Sequence, residues 1–167
     1  MSQFITGAGE DLLPPAVEKA LLATPPLSQD GKALDTKVIA RYFVGNYTCY
    51  LLENGCEREI DEAGLAFGMV KIGSNEFEMG DISLRDIADL AVPISIQPFG
   101  RLAARVYPER DRSVTPLKMT LGECMKMNGE EIPQWLVAVQ KRRDELKAKA
   151  KEQAVADTPA KTVGRSR

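Results

Sequence analysis

Residues 38–52, VIARYFVGNYTCYLL, constrain this chain more than any other stretch. β-branched and aromatic side chains crowd the segment, and such residues favour extended backbone over helix because their χ1 freedom is restricted against a preceding helical turn. The one break, Gly45-Asn46, has the composition of a tight turn, so the segment predicts two strands folded into a hairpin. Glu53-Asn54-Gly55 ends the second strand, and residues 56–62 read as a charged loop. LAFGMVKI (residues 65–72) and NEFEMGDI (residues 75–82), joined across Gly73-Ser74-Asn75, predict a second hairpin. In its last strand Phe77 and Met79 alternate with Glu76 and Glu78, the pattern of one buried and one wet face.

The clearest helix signal follows at once. Ser83 stands where an N-cap belongs, Asp86 is at the third helical position of a capping-box-like pair, and Ile82 and Ile87 occupy the two positions of a hydrophobic staple. Leu84, Ile87 and Leu90 or Ala91 give this helix a core face, and Pro93 follows its end. Upstream, Pro14-Pro15 opens a short helix with Val17, Ala20 and Leu21 on one side, stopped by Thr24-Pro25-Pro26 and followed by the turn cluster Ser28-Gln29-Asp30-Gly31. Downstream the spacing predicts a short strand at Ile94 to Ile96 and then an extended or partly helical segment. A short helix is expected from Thr115-Pro116 to near Asn128-Gly129, weakened by Gly122. The longest helical pattern runs from Gln134 to about Ala154, with Trp135, Leu136, Val139 and Leu146 as its large apolar residues. Beyond Lys141 it is nearly all Lys, Arg, Glu and Ala, a solvated helix with little apolar face of its own.

The expected fold is therefore α+β: a small antiparallel or mixed sheet with helices packed on one face, plus a long C-terminal helix docked through Trp135, Leu136 and Val139. Residues 1–11 read as a flexible lead, 12–115 as the core domain, 116–154 as a helical extension and 155–167 as a disordered basic tail. A chain of 167 residues with 44% hydrophobic composition supports one such core without a stapling metal or disulfide. Cys49, Cys56 and Cys124 are odd in number and lack C-x-x-C spacing, which reads as reduced thiols. With no leader-like start and no apolar run near the roughly 18 residues of a membrane helix, the expectation is a cytoplasmic protein.

The net charge of −2 conceals a split. Residues 141–167 hold nine Lys/Arg against four Asp/Glu, leaving 13 against 20 for residues 1–140. An acidic body argues against a nucleic-acid groove in the main domain, while the basic tail suits a salt-sensitive, sequence-blind contact with phosphates.

Catalytic chemistry has little to work with. The chain contains no histidine, which removes the Ser-His-Asp arrangement and histidine-based metal sites, and leaves Cys49 or Cys56 without the usual base. Glu76 and Glu78, on one strand face with Asp81 close by, are the best carboxylate set for a hard divalent cation. A solvated sheet face is the plainer reading, because nothing else in the sequence points to phosphoryl chemistry. Glu57, Glu59, Asp61 and Glu62 read as a surface loop. Arg101 and Arg105, with Arg110 and Arg112 beyond and Tyr107 close, suit a phosphate-binding edge; the interleaved Glu109 and Asp111 favour a salt-bridged surface segment instead. Trp135, Leu136 and Val139 begin an amphipathic helix whose apolar face can complete an interface.

LLPPAVEKAL and PPLSQDG, the ARYF and TCY strands, LAFGMVKI and above all FEMGDISLRDI together resemble a domain-of-unknown-function family carried mainly on bacterial plasmids, phages and other mobile elements. The resemblance spans roughly residues 12–110. Phe67-Gly68 with Val70, then Glu78-x-Gly80-x-Ile82-Ser83-Leu84, is its most specific part. Tyr47 and Cys49 stand where members of the family tend to carry tryptophan, and the residues from Pro116 onward look like an addition. The resemblance implies a small α+β domain in a mobile-element setting and supplies no catalytic residues. The reading that follows is a non-enzymatic accessory or regulatory protein, without cofactor, that binds another macromolecule. A protein partner is preferred, with a host nucleic-acid system as its setting. The alternatives are a nucleic-acid-associated protein using the Arg101 to Arg112 segment and the tail, and a metal-dependent enzyme using Glu76, Glu78 and Asp81.

Overall fold

The computed structural model describes residues 3–95 and 102–156. Among them, strands β1 (Ala40–Val44), β2 (Tyr47–Asn54), β3 (Leu65–Ile72), β4 (Glu78–Ser83) and β7 (Glu109–Arg110) form an antiparallel sheet in the order β4-β3-β2-β1-β7. Strands β5 (Val92–Ser95) and β6 (Leu102–Val106) pair as a separate ribbon. The helices are α1 (Pro15–Leu22), α2 (Leu84–Asp89), α3 (Leu121–Met127) and α4 (Gln134–Ala156), and a 3-10 turn covers Ala33–Asp35. The protein is α+β, as its two hairpin patterns and its helix signals predict.

Both hairpins form where the turn residues place them. Val44 pairs with Tyr47 across Gly45-Asn46, and β3 runs back along β4 with Phe67 opposite Asp81. The register of β2 against β3 shifts between Leu51 and Glu53. Gly68 lies beside that irregularity, and a Cβ there would fall 1.8 Å from the Tyr50 carbonyl oxygen, so only glycine permits the approach.

Each face of the sheet carries its own core. On the first face α1 and α2 cover Tyr42, Cys49, Leu51, Ala66 and Ile82 with Val17, Leu21, Leu84 and Ile87. The Ser83 hydroxyl accepts the Asp86 N–H at 3.1 Å, and Ile82 and Ile87 are both buried, so the predicted cap and staple are in place. On the second face Val38, Tyr50, Leu52, Met69 and Phe77 are covered by Leu121, Cys124 and Met125 of α3 and by Leu136 of α4. The helices at Pro14 and Ser83 thus share one face, and the residues after Val114 close the other.

Several expectations shift. Residues 1–11 read as a lead, yet Phe4 is fully buried on the first face, Ile5 bridges Asp11, and the Leu12 N–H donates to the Phe4 carbonyl at 3.0 Å; one aromatic in a polar stretch drives this docking. Met79, expected inside with Phe77, is 41% exposed because β4 is the sheet's edge and no strand among the described residues pairs beyond it. The core residue that completes the face of α2 is Ala88 rather than Leu90, which is already extended at the C-cap. The third helix starts at Leu121, later than Thr115-Pro116 suggests, because Thr120 and Glu123 form a reciprocal capping box. The stretch after Pro93 forms the β5–β6 ribbon with no helical part among its described residues; Ile96 lies outside them. No helix among the described residues is long and apolar enough to cross a membrane.

Candidate functional site

Glu53 sits at the end of β2, only 6% exposed. Its carboxylate accepts the backbone N–H groups of Leu27 at 2.8 Å and Gln29 at 2.6 Å. The Gln29 side chain then spans the gap to the sheet, donating to the carbonyls of Lys37 at 2.9 Å and Leu52 at 2.6 Å and accepting from the Lys37 N–H at 2.7 Å. A loop whose polar groups are tied down in this way is held rigidly. Leu27 is held with φ +63°, a left-handed conformation that a Cβ disfavours, and its side chain is 79% exposed. Ala33, which lines the same groove, and Leu117 are the other non-glycine residues with positive φ among the described residues, at +49° and +60°.

Helix α4 supplies the opposite wall. Its first turns dock through the Trp135 indole N–H, which donates to the Phe77 carbonyl at 3.1 Å, and through Gln140, whose side-chain oxygen accepts the Leu34 N–H at 3.0 Å. Arg143 closes the contact by donating to the Lys32 carbonyl at 2.9 Å and pairing with Asp35. Between the Leu27 loop, α4 and the β3–β4 edge lies an apolar groove of about 330 Å³ lined by Leu27, Phe67, Met79, Trp135, Leu136 and Val139. Leu136 is buried in its floor, whereas Met79, Trp135 and Val139 are 41%, 37% and 47% exposed. Asp30 lines the groove from the loop. Asp81 stands on the same side of β4 as Met79, two residues away, opposite Phe67. Both aspartates are exposed and neither makes an ion pair among the described residues.

The three residues chosen from the start of the C-terminal helix, Trp135, Leu136 and Val139, thus line one groove together. Arg105, Arg110 and Arg112 are also brought together, around a different cleft of about 670 Å³ at the far edge of the sheet, with Tyr107 between them. Arg101 lies outside the described residues. The proposed salt-bridging of these arginines to Glu109 and Asp111 is absent among the described residues; Asp111 turns inward to Arg41 instead. The carboxylates Glu76, Glu78 and Asp81 do not converge: Glu78 and Asp81 are three apart on one strand and so face opposite sides. Among the described residues no group of three metal-ligating side chains comes together.

Sequence reasoning missed the polar cluster under the second face. Arg41 pairs with Asp111 at 3.3 Å and Glu130 at 3.0 Å, and its guanidinium lies 5.0 Å from the Phe43 ring centroid. The Tyr50 hydroxyl donates to the other oxygen of Glu130. Burial opposes the charge on Arg41, but its bond to Glu130 and the neighbouring negative charge more than offset this, so its pKa is raised. The cluster ties the segments around Asp111 and Glu130 to β1 and β2. Cys49 is buried outright, which pushes its thiol up to about 12, and burial with nearby carboxylates pushes Cys124 up to about 11; neither is poised as a nucleophile.

No family model matches the chain, and no curated protein or solved structure does.

Proposed function

We propose that the protein acts by binding another protein, through the apolar groove between the Leu27 loop, α4 and the β3–β4 edge, in an accessory or regulatory role without catalysis of its own. The observation that carries this reading is the convergence of Leu27, Met79, Trp135 and Val139, all substantially exposed, from three separate elements onto one depression. Exposed large apolar residues gathered in a groove, rather than scattered singly, are the usual mark of a docking site. The occupant we infer is a partner segment with apolar anchors flanked by Lys or Arg, because Asp30 lines the groove and Asp81 stands on the same side of β4 as Met79, neither in an ion pair among the described residues. Charge of this kind raises association rates and gives binding that weakens with salt. The mobile-element resemblance of residues 12–110 supports a search among host proteins with basic segments.

The test is selection of phage-displayed peptides on the immobilised full chain. Enriched sequences should carry apolar residues next to Lys or Arg. Their synthetic counterparts should lose at least tenfold in affinity to a Trp135→Ala/Val139→Asp variant and should weaken with added salt. Peptides that bind the variant as tightly as the parent would sink the reading. Light scattering that shows a dimer dispersed by the same substitutions would assign the groove to a second copy, and a groove that accepts peptide only after removal of residues 157–167 would assign it to the chain's own tail.

A further inference from the structure

The second cleft lies at the opposite edge of the sheet from the groove, between the β6–β7 segment and the turn at residues 6–11, and it collects cations that make no ion pair among the described residues. Arg105, Arg110 and Arg112 line it, and none of the three guanidinium groups makes a hydrogen bond or ion pair among the described residues. The Nε of Arg110 is buried with no hydrogen-bond partner, a costly state for part of a charged group.

Acidic residues are present, but they are directed elsewhere. Glu10 accepts the backbone N–H of Arg110 at 3.3 Å, and Asp11 accepts the N–H of Leu13 at 2.8 Å. Glu109 is paired in register with Phe43 and Arg110 with Tyr42, so these neighbours project from opposite faces of β7. Glu10, Asp11 and Glu109 thus line the cleft, but among the described residues none of them forms an ion pair with its guanidinium groups.

Tyr107 sits in the same wall, and its position is preset. A Cβ at residue 7 would lie 2.2 Å from its ring, so Gly7 lets the N-terminal turn close directly against it. The cleft, about 670 Å³, is much larger than one phosphate and falls within the range of small-molecule sites. Guanidinium forks match phosphate oxygens in planar, paired hydrogen bonds, and an aromatic ring beside them offers a surface for a base.

We propose that this cleft is a binding site for a nucleotide, its phosphates held by Arg105, Arg110 and Arg112 and its base set against Tyr107. The chemistry is the same for a free nucleotide and for one residue of a single strand. The acidic body, 13 Lys/Arg against 20 Asp/Glu over residues 1–140, disfavours a long polyanion and favours the free form. This proposal is independent of the apolar groove.

Isothermal titration calorimetry on the full chain at low salt tests it, with ATP, inorganic pyrophosphate and a single-stranded oligonucleotide as separate probes. ATP should bind more tightly than pyrophosphate. Its affinity should fall at least tenfold in Arg105→Gln/Arg112→Gln, exposed positions whose replacement leaves the thermal melt intact, and should be unchanged in Trp135→Ala/Val139→Asp and on removal of residues 157–167. No heat with any probe, or equal ATP affinity in the arginine variant, overturns the proposal. Pyrophosphate binding as tightly as ATP removes the base contact and overturns the nucleotide assignment. An oligonucleotide that binds tightly only while residues 157–167 are present assigns the effect to the tail and not to the cleft.

Discussion

The two faces of the sheet are closed by different means. The first is dry: apolar residues of α1, α2 and the Phe4 segment lie on Tyr42, Leu51 and Ile82, and the Tyr42 hydroxyl is satisfied by the Leu12 carbonyl. The second has an apolar centre ringed by buried polar devices, Arg41 with Asp111 and Glu130 on one side and Glu53 with Gln29 on the other. A dry face maximises burial and leaves little outside it. A face held by directional bonds fixes loops at defined positions, and it can leave apolar residues such as Leu27 and Val139 standing in water at its margin. The larger buried apolar cluster lies on the first face and the candidate groove on the second.

The largest effect that tests this contrast belongs to the dry face. Leu51→Ala removes a fully buried side chain at its centre and should cost about 3–4 kcal/mol in urea unfolding, the range for a core truncation that cannot relax. A loss under about 1 kcal/mol would mean that the first face is not the main source of stability. On the second face Glu130→Ala leaves the Arg41 guanidinium, 12% exposed, short of an acceptor and should cost about 3 kcal/mol. The two differ in how they are repaired. Replacing the cluster together, Glu130→Leu with Arg41→Met, Asp111→Asn and Tyr50→Phe so that no member is left without its partner, should recover most of that loss, since a buried ion pair replaced by apolar groups of similar volume is often neutral. Failure to recover would show that the cluster holds geometry that apolar packing cannot replace.

Glu53→Gln probes the bracket itself. Two backbone N–H groups lose a charged acceptor, for about 1–2 kcal/mol, and amide exchange at Leu27 and Gln29 should speed up while the strands stay protected. The thiols give a pH test common to both faces. Cys49 and Cys124 have folded pKa values raised above the ordinary 9.0, to about 12 and about 11, so the folded state keeps protons that the unfolded state releases. Their contribution to stability is intact below pH 9 and is lost as pH climbs from there through the folded values. The urea midpoint should fall between pH 9 and 11, and in the native protein at pH 8 a thiol reagent should modify Cys56, which is only half-buried, well before the other two. Equal reactivity of all three would contradict the closure of both faces.

What the sequence discloses and what it hides divide along the same line. The β2 strand, the Ser83 cap, and the faces of α1 and the start of α4 are written in local spacing, and each formed where its residues put it. The polar devices are not local. Arg41, Asp111 and Glu130 are scattered along the chain and meet only because β7 and the end of α3 return to β1, and Glu53 reads as a turn residue until the Leu27 loop folds over it. Trp135, Leu136 and Val139 read as the apolar start through which α4 docks, yet only Leu136 is buried while Trp135 and Val139 stay 37% and 47% exposed; Leu27 and Met79, their counterparts across the groove, carried no signal. One looked like a loop leucine and the other like a core methionine, because edge position and backbone strain exist only in three dimensions.

Leu27→Gly gives the smallest change in stability and the sharpest reading of the groove. Leucine at φ +63° carries a steric penalty of about 1–2 kcal/mol that glycine does not. Glycine returns part of this through its greater freedom in the unfolded chain, about 0.5–1 kcal/mol. At 79% exposure the leucine side chain buries too little for its loss to matter. The net expectation is a stability unchanged or raised by about 0.5–1 kcal/mol, together with weaker binding of any basic apolar peptide that the groove selects. That pairing is what a residue kept for contact with a partner predicts, since the chain would be better off without it when alone. A clear drop in the urea midpoint would instead make Leu27 part of the scaffold, kept for packing rather than for contact.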